Sequence, residues 1–285
     1  MNNVRSLPKK IVLTILFYIV ALIATAFFLI PLWQTFVGAF SSLQEVMTVS
    51  FRAFPQEFTW NLPRLFEIAV FPSFPRMVWN SFFYAGAVIP MLFFSSLAAF
   101  ALSRLKGPGQ GLIFGIILST IMLPFTTTMI PRFIMFREFG WIDTALVFYG
   151  PAIGGNAMVI FLLRQFMKNI PRDLDEAAKI DGAGYFRIYA TVIMPLSKPA
   201  LAVTFIFSFI GAWNDFMGPL IFLTRNSNFP LPLGIETLRN TIGNYITEWN
   251  VLMLAVLISS LPLLAIFFIF QRHIIKGVVM SGIKG

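Results

Sequence analysis

Few side chains in this sequence could do chemistry, and their spacing narrows what that chemistry could be. Asp215 stands alone in an apolar run, in Trp213-Asn214-Asp215, with Gly218-Pro219 just beyond it. A carboxylate so placed can line a polar path, or can be held by a neighbouring helix where the chain breaks. It lacks the second acid that an aspartyl dyad needs. Asn156, directly after Gly154-Gly155, sets an amide beside a point of close backbone approach. The single His, His273, lies beside Arg272 and Lys276, so a two-His zinc helix is excluded. The absence of Cys removes thiol nucleophiles, disulfides and Cys-ligated metals. No Gly-x4-Gly-Lys-Ser/Thr occurs, so a nucleotide-driven step would need another subunit's phosphate loop. Catalytic and metal-ligating residues are therefore expected to be none.

The elements that must position these residues are set by composition. Of 285 residues, 58% are hydrophobic and 12% charged, with 34 Phe. A soluble domain would carry about 25% charged residues. An all-α integral membrane protein follows. Six runs are long enough to cross a bilayer, which takes about 20 apolar residues: approximately 11–33, 78–102, 112–130, 145–163, 201–223 and 251–270. The first has a basic start and an Ala24-Thr25-Ala26 that resembles a signal-peptidase site. Its apolar character runs on through Trp33, too far for a signal core, and it is expected to remain as a span. The net charge of +9 forms no stripe suited to nucleic acid. Lys and Arg are instead about twofold enriched on one set of segments: 1–10, the loop at Arg104 and Lys106, the stretch 164–198, and the end after Phe270. That bias predicts both termini inside, a 1–10 cytoplasmic N-terminus, one transmembrane domain over 11–285, and a short cytoplasmic tail 271–285. Pro31, Pro90, Pro124, Pro131, Pro151, Pro219 and Pro262 punctuate the spans, as tolerated where protein or a watery path satisfies the freed backbone.

The cytoplasmic stretch 167–199 is the most informative. Asp173 is placed to cap a helix starting at Leu174, with Glu176 completing a capping-box-like pair. Asp175 and Lys179 have the spacing of an i,i+4 ion pair. Gly182-Ala183-Gly184 breaks that helix, and Tyr185, Phe186, Ile188, Tyr189 and Val192 form a second amphipathic piece ending at Pro195. Two short helices on a glycine elbow make a knob, and its small Ala residues admit a partner backbone.

Glu176-Ala177-Ala178, then Gly182, then Val192-x-Met194-Pro195 resembles the EAA loop of ABC importer permeases, with Val192 and Met194 as conservative departures. Trp213-Asn214-Asp215-Phe216, Pro219-Leu220-Ile221-Phe222 and the tail through Lys276-Gly277 and Gly282-Ile283-Lys284-Gly285 resemble the carbohydrate, maltose-transporter-type branch. The resemblance runs from about Trp79 onward. It implies a type I importer permease fold in a bacterial or archaeal cytoplasmic membrane, paired with a second homologous permease. It also implies two cytoplasmic ATPases, which use ATP and Mg, and an extracytoplasmic binding protein that delivers a sugar. No cofactor is implied on this chain. Glu176, Ala177, Ala178, Asp181, Gly182 and Pro195 would couple to the ATPase, with Glu176 near a basic group there. Ser281, Gly282 and Lys284 would reach the same interface, and residues 230–244 would meet the binding protein. Asn156, Asn214 and Asp215 are the pathway candidates. A non-sugar solute such as a phosphorylated polyol is the alternative, and an intramembrane enzyme a distant third.

Overall fold

The computed structural model describes residues 7–48, 51–68, 72–242 and 248–282, and of side chains not those at 7–10, 240–242 or 272–282. The described residues are helical, with no strand among them. In chain order the helices are α1 (Leu7–Ala39), α2 (Leu43–Thr48), α3 (Leu62–Ile68), α4 (Phe74–Ala85), α5 (Val88–Arg104), α6 (Gln110–Ile121), α7 (Phe125–Glu138), α8 (Leu146–Ile153), α9 (Ala157–Lys168) and α10 (Asp173–Ile180). There follow α11 (Tyr185–Ile188), continued by a π turn over Tyr189–Ile193, α12 (Met194–Leu196), α13 (Lys198–Trp213), α14 (Met217–Phe222), α15 (Leu231–Ile242) and α16 (Trp249–Gly282).

Four stretches are long and apolar enough to cross a bilayer: Ile11–Ala39, Phe74–Arg104, Leu146–Lys168 and Trp249–Gln271. Two further pairs qualify only as bent spans, Gln110–Ile121 with Phe125–Glu138 at 101° and Tyr185–Leu196 with Lys198–Trp213 at 76°. The expected third span, 112–130, is thus not one straight helix. Pro124 is extended, with φ −61° and ψ 144°, and the residue before a proline is pushed from the helical region, so the chain turns there. Pro31, Pro131, Pro151 and Pro262 lie inside helices. The expected fifth span breaks after Trp213, five residues before Gly218, and resumes as α14 at Met217, so that Gly218-Pro219 lies inside the second piece and not at the break. Helix α16 runs on through Gly282, into the stretch expected as the tail 271–285.

The chain divides into two units, one made of residues before 70 with Thr237–Ser260, the other of residues from 72 to Glu236 with those after Ser260. In the first, α1 is apolar and exposed along Ile11–Trp33, with no polar stripe. A helix apolar all round needs lipid or another chain about it. The segment after α1 is tied by amides: Asn61 Nδ2 donates to the carbonyls of Ala39 (2.9 Å) and Ser41 (3.0 Å), and Asn250 Nδ2 donates to Asn61 Oδ1 at 3.1 Å. Arg64 meets Glu248 through Nη2 at 2.6 Å.

In the second unit, α5 and α9 pack side by side. Ala99, Phe100, Val159, Leu163 and Met167 share one core with Ile188, Tyr189 and Ile193 of the loop's second helix. A separate knot holds the segment after α14. Asp143, at φ +64°, accepts at Oδ1 from the N–H groups of Thr224 and Arg225, each at 3.1 Å, and from Asn228 Nδ2. Desolvation pushes the Asp143 carboxyl pKa up. The Arg225 and Thr224 N–H groups, the Asn228 amide and the Arg225 charge outweigh it and hold the pKa below the ordinary 3.8.

A depressed carboxylate pKa means that its stabilisation is present above the unfolded value and is lost as pH falls through the folded one. Thermal stability should therefore fall below about pH 4, with part of that acid limb missing in Asp143→Asn. Asp143→Ala, which removes the acceptor of several bonds to a charged group, should cost about 2–3 kcal/mol at neutral pH. Melting of the detergent-purified variants across pH checks both.

Candidate functional site

The loop knob is built largely as its local sequence dictates, with two corrections. Helix α10 ends in a Schellman motif: the Gly182 N–H donates to Lys179 O and the Ala183 N–H to Ala178 O, both at 2.9 Å. That geometry needs a left-handed residue after the last helical turn, and Gly182 supplies it at φ +79°. Asp181 is the C-cap. The second helix runs from Tyr185 to Leu196 through the π turn, where the Met194 N–H reaches back to Tyr189 O. Tyr189 is buried there, its hydroxyl 2.7 Å from Ser96 Oγ and its ring 5.4 Å from Phe100.

The first correction concerns the start of α10. Arg172, not Asp173, takes the N-cap position, and no side chain caps it. Asp173, Asp175 and Glu176 all lie in the first turn, where their charge complements the positive end of the helix. The second concerns Asp175, which does not pair with Lys179. It is buried, and its Oδ2 lies 3.3 Å from Arg104 Nη1, while Lys179 sits over the Tyr185 ring at 5.3 Å. Arg104 had been counted only as a loop charge. A buried cation at the end of an apolar span outcompetes an exposed lysine for the Asp175 carboxylate.

Of the coupling candidates, Glu176, Ala177, Asp181, Gly182 and Pro195 are exposed and Ala178 is partly buried. Beside them Ile180 is 86% exposed and Phe186 71%. The knob thus buries Ile188, Tyr189 and Ile193 of its second helix in the α5–α9 core and offers an apolar and acidic face outward. Lys284 lies outside the described residues, and of Ser281 and Gly282 only the helical backbone is described.

The pathway candidates divide. Asn156 and Asp215 line one cavity of about 500 Å³, with Tyr84, Phe148, Ser208 and Arg132 also in its wall. Its size suits a small organic ligand, and aromatic faces with a few polar groups suit a sugar ring. Asn214 is not part of that wall, and its amide donates to Ile210 O at 3.0 Å. Both lining residues also cap helices. Asn156 Oδ1 accepts from Met158 and Val159 N–H at 3.0 and 3.2 Å, and Asp215 Oδ1 accepts from the Gly218 N–H at 3.0 Å. Gly155, at φ +73°, lets this corner press on α5, and a Cβ there would stand 2.9 Å from Ser95 Oγ. Arg132 was not singled out in the sequence, since nothing local distinguishes it from a surface charge.

Comparison with known proteins agrees with this architecture. The family described as "Binding-protein-dependent transport system inner membrane component" matches residues 65–280. The arabinooligosaccharides transport system permease protein AraQ of Halalkalibacterium halodurans is 32% identical over 212 residues, 74% of each chain. The trehalose/maltose transport system permease protein MalG of Thermococcus litoralis is 34% identical over 214 residues, 74% of this chain and 76% of that one. The sn-glycerol-3-phosphate transport system permease protein UgpE of Escherichia coli O1:K1 is 32% identical over 274 residues, 94% of this chain and 97% of its own. Among solved structures, a bacterial ABC transporter involved in the import of the acidic polysaccharide alginate superposes with a TM-score of 0.77. It is 25% identical and covers 95% of this chain and 98% of its own.

Gly155→Ala combines a left-handed backbone with a side chain forced onto Ser95. It should lower stability by roughly 1–3 kcal/mol, read as a drop in melting temperature in detergent, whereas Gly211→Ala, where a Cβ meets nothing within 4 Å, should be close to neutral.

Proposed function

Because the chain belongs to the binding-protein-dependent transport system inner membrane component family, we propose that it is one permease of an ABC importer for a sugar or oligosaccharide. In this reading six spans, two of them bent, cross the membrane with both termini inside. A second, homologous permease covers the apolar flank of α1 that lipid does not. Two ATPases bind the cytoplasmic knob, hydrolyse ATP with Mg, and drive alternation between inward- and outward-open states. A binding protein delivers the solute from outside, meeting residues 230–244, of which 230–242 are described. Ser281, Gly282 and Lys284 approach the ATPase interface. The chain itself does no catalysis.

The observation that carries this is the knob. Its outward face joins Glu176, Ala177 and Ile180, while its inward face is continuous with the core of two membrane helices. A surface that touches a motor and a core that touches the spans are what a passive permease needs from one element. The sugar assignment rests on the arabinooligosaccharide and trehalose/maltose relatives and on the aromatic wall of the cavity. A second solute class has its own support: the sn-glycerol-3-phosphate relative aligns over 94% of this chain, and Arg132 places a cation in the cavity wall. Asn156 and Asp215 are polar groups along the path, and Asn214, outside the cavity wall, stands beside them as the third candidate.

Glu176→Lys reverses the charge at the centre of the docking face without touching the core. Uptake should fall to background and ATPase association should weaken about tenfold or more, worth roughly 1.4 kcal/mol, with membrane insertion unchanged. Normal uptake would remove the docking role. Stimulation of ATP hydrolysis by binding protein loaded with oligosaccharide, against glycerol phosphate, separates the two solute classes.

A further inference from the structure

Arg104 closes α5, at the point where an apolar span should release its first charge to water, yet its side chain is only 3% exposed. Its guanidinium touches three elements. It belongs to α5. Its Nη2 donates to Met167 O at 2.8 Å and to Ile170 O at 2.9 Å, at and just past the end of α9. Its Nη1 faces Asp175 of α10 at 3.3 Å. The lacing is reciprocal, since the last carbonyls of α5 accept from the other elements. Arg164 of α9 donates Nε to Leu102 O at 3.1 Å, and Arg172, just before α10, donates Nη2 to Ser103 O at 3.2 Å.

Stability alone does not account for this arrangement. Arg104 Nε and Asp175 Oδ1 are both buried without a hydrogen-bond partner, and 3.3 Å is longer than the roughly 2.7–2.9 Å of a strong charge-assisted bond. Apolar side chains would fill the same space at no such desolvation cost. What the contact does supply is direction. Successive helical residues are about 100° apart, so Asp175 points inward while Ala177, two residues on and about 200° round the helix, and Glu176 are exposed. A force on the outer face of α10 is therefore met on its inner face by a carboxylate against Arg104 at the end of α5, which is itself bonded to the end of α9.

We propose that Arg104 is the positioning residue through which displacement of α10 is passed to α5 and α9, so that the loop helix and the two spans move as one lever. The proposal rests on the importer reading above. It adds to the docking face a specific connection, made by a residue outside the loop.

The test uses the complete complex in proteoliposomes. With Asp175→Asn, assembly and basal ATP hydrolysis should persist while stimulation by solute-loaded binding protein falls about tenfold, within the 5–150-fold range typical of coupling between sites. Because the chain has no Cys, a bridge can replace the clamp: Ser103→Cys with Arg172→Cys, joined by a short bis-methanethiosulfonate crosslinker from which each thiolate displaces methanesulfinate, should return stimulation in Asp175→Asn to within about twofold of the same bridge placed in the parent chain. That rescue decides the matter even where Asp175→Asn assembles poorly, since the bridge is tested in it directly. Full stimulation in unbridged Asp175→Asn, or none in the bridged variant, overturns the clamp. A parent complex that solute-loaded binding protein fails to stimulate overturns the importer reading instead.

Discussion

A guanidinium withdrawn from water must be surrounded by acceptors, and that requirement organises the cytoplasmic end of the second unit. Arg104 finds two carbonyls at the end of α9 and one carboxylate on α10. Each acceptor fixes the element that carries it. Burial of an ion costs several kcal/mol even after relaxation, so the arrangement holds only while all of these elements are in register. Beneath it the shared core of α5, α9 and the π turn makes the same connection by packing. Charge sets the direction of the contact and apolar burial supplies most of its strength.

The same logic shapes the cavity. Backbone breaks inside an apolar bundle leave polar groups that must be paired, and here the capping side chains do that work. Asn156 and Asp215 each satisfy N–H groups at the start of a helix, and both face the one cavity. The polar lining thus includes two ionisable side chains, Arg132 over the Phe125 ring and the capping Asp215. A path for a neutral or weakly acidic solute can be made this way, whereas ion coupling would call for opposed carboxylates in the spans.

What the sequence disclosed followed the range of the interactions involved. Gly182 as the elbow and the two-helix knob depend on neighbours a few residues away and are present, and of the six apolar runs four lie in single candidate spans and two in bent helix pairs. The capping box at Asp173 failed because the helix begins one residue earlier than its spacing implied, and the Asp175–Lys179 pair failed because a rule of local spacing cannot see Arg104, far back in the chain. The bend at Pro124 carried a visible signal, but the six other prolines in the spans carried the same one, and all of those lie within helices. Asp215 was recognisable as an oddity, while Arg132 and the cavity itself were not. Their walls are assembled from residues between Tyr84 and Phe222 that only the fold brings together.

The account stands on the loop helix and its two spans behaving as one body while a separate motor turns over. Spin labels at Asp173→Cys on α10 and Leu162→Cys on α9, in a chain with no other Cys, measure that within a single subunit of the assembled complex. The distance distribution should be the same in the nucleotide-free and ATP-bound states, even as distances to the partner permease change. A shift of several ångström between those labels on nucleotide binding would show that the loop slides on the spans, and would contradict the account.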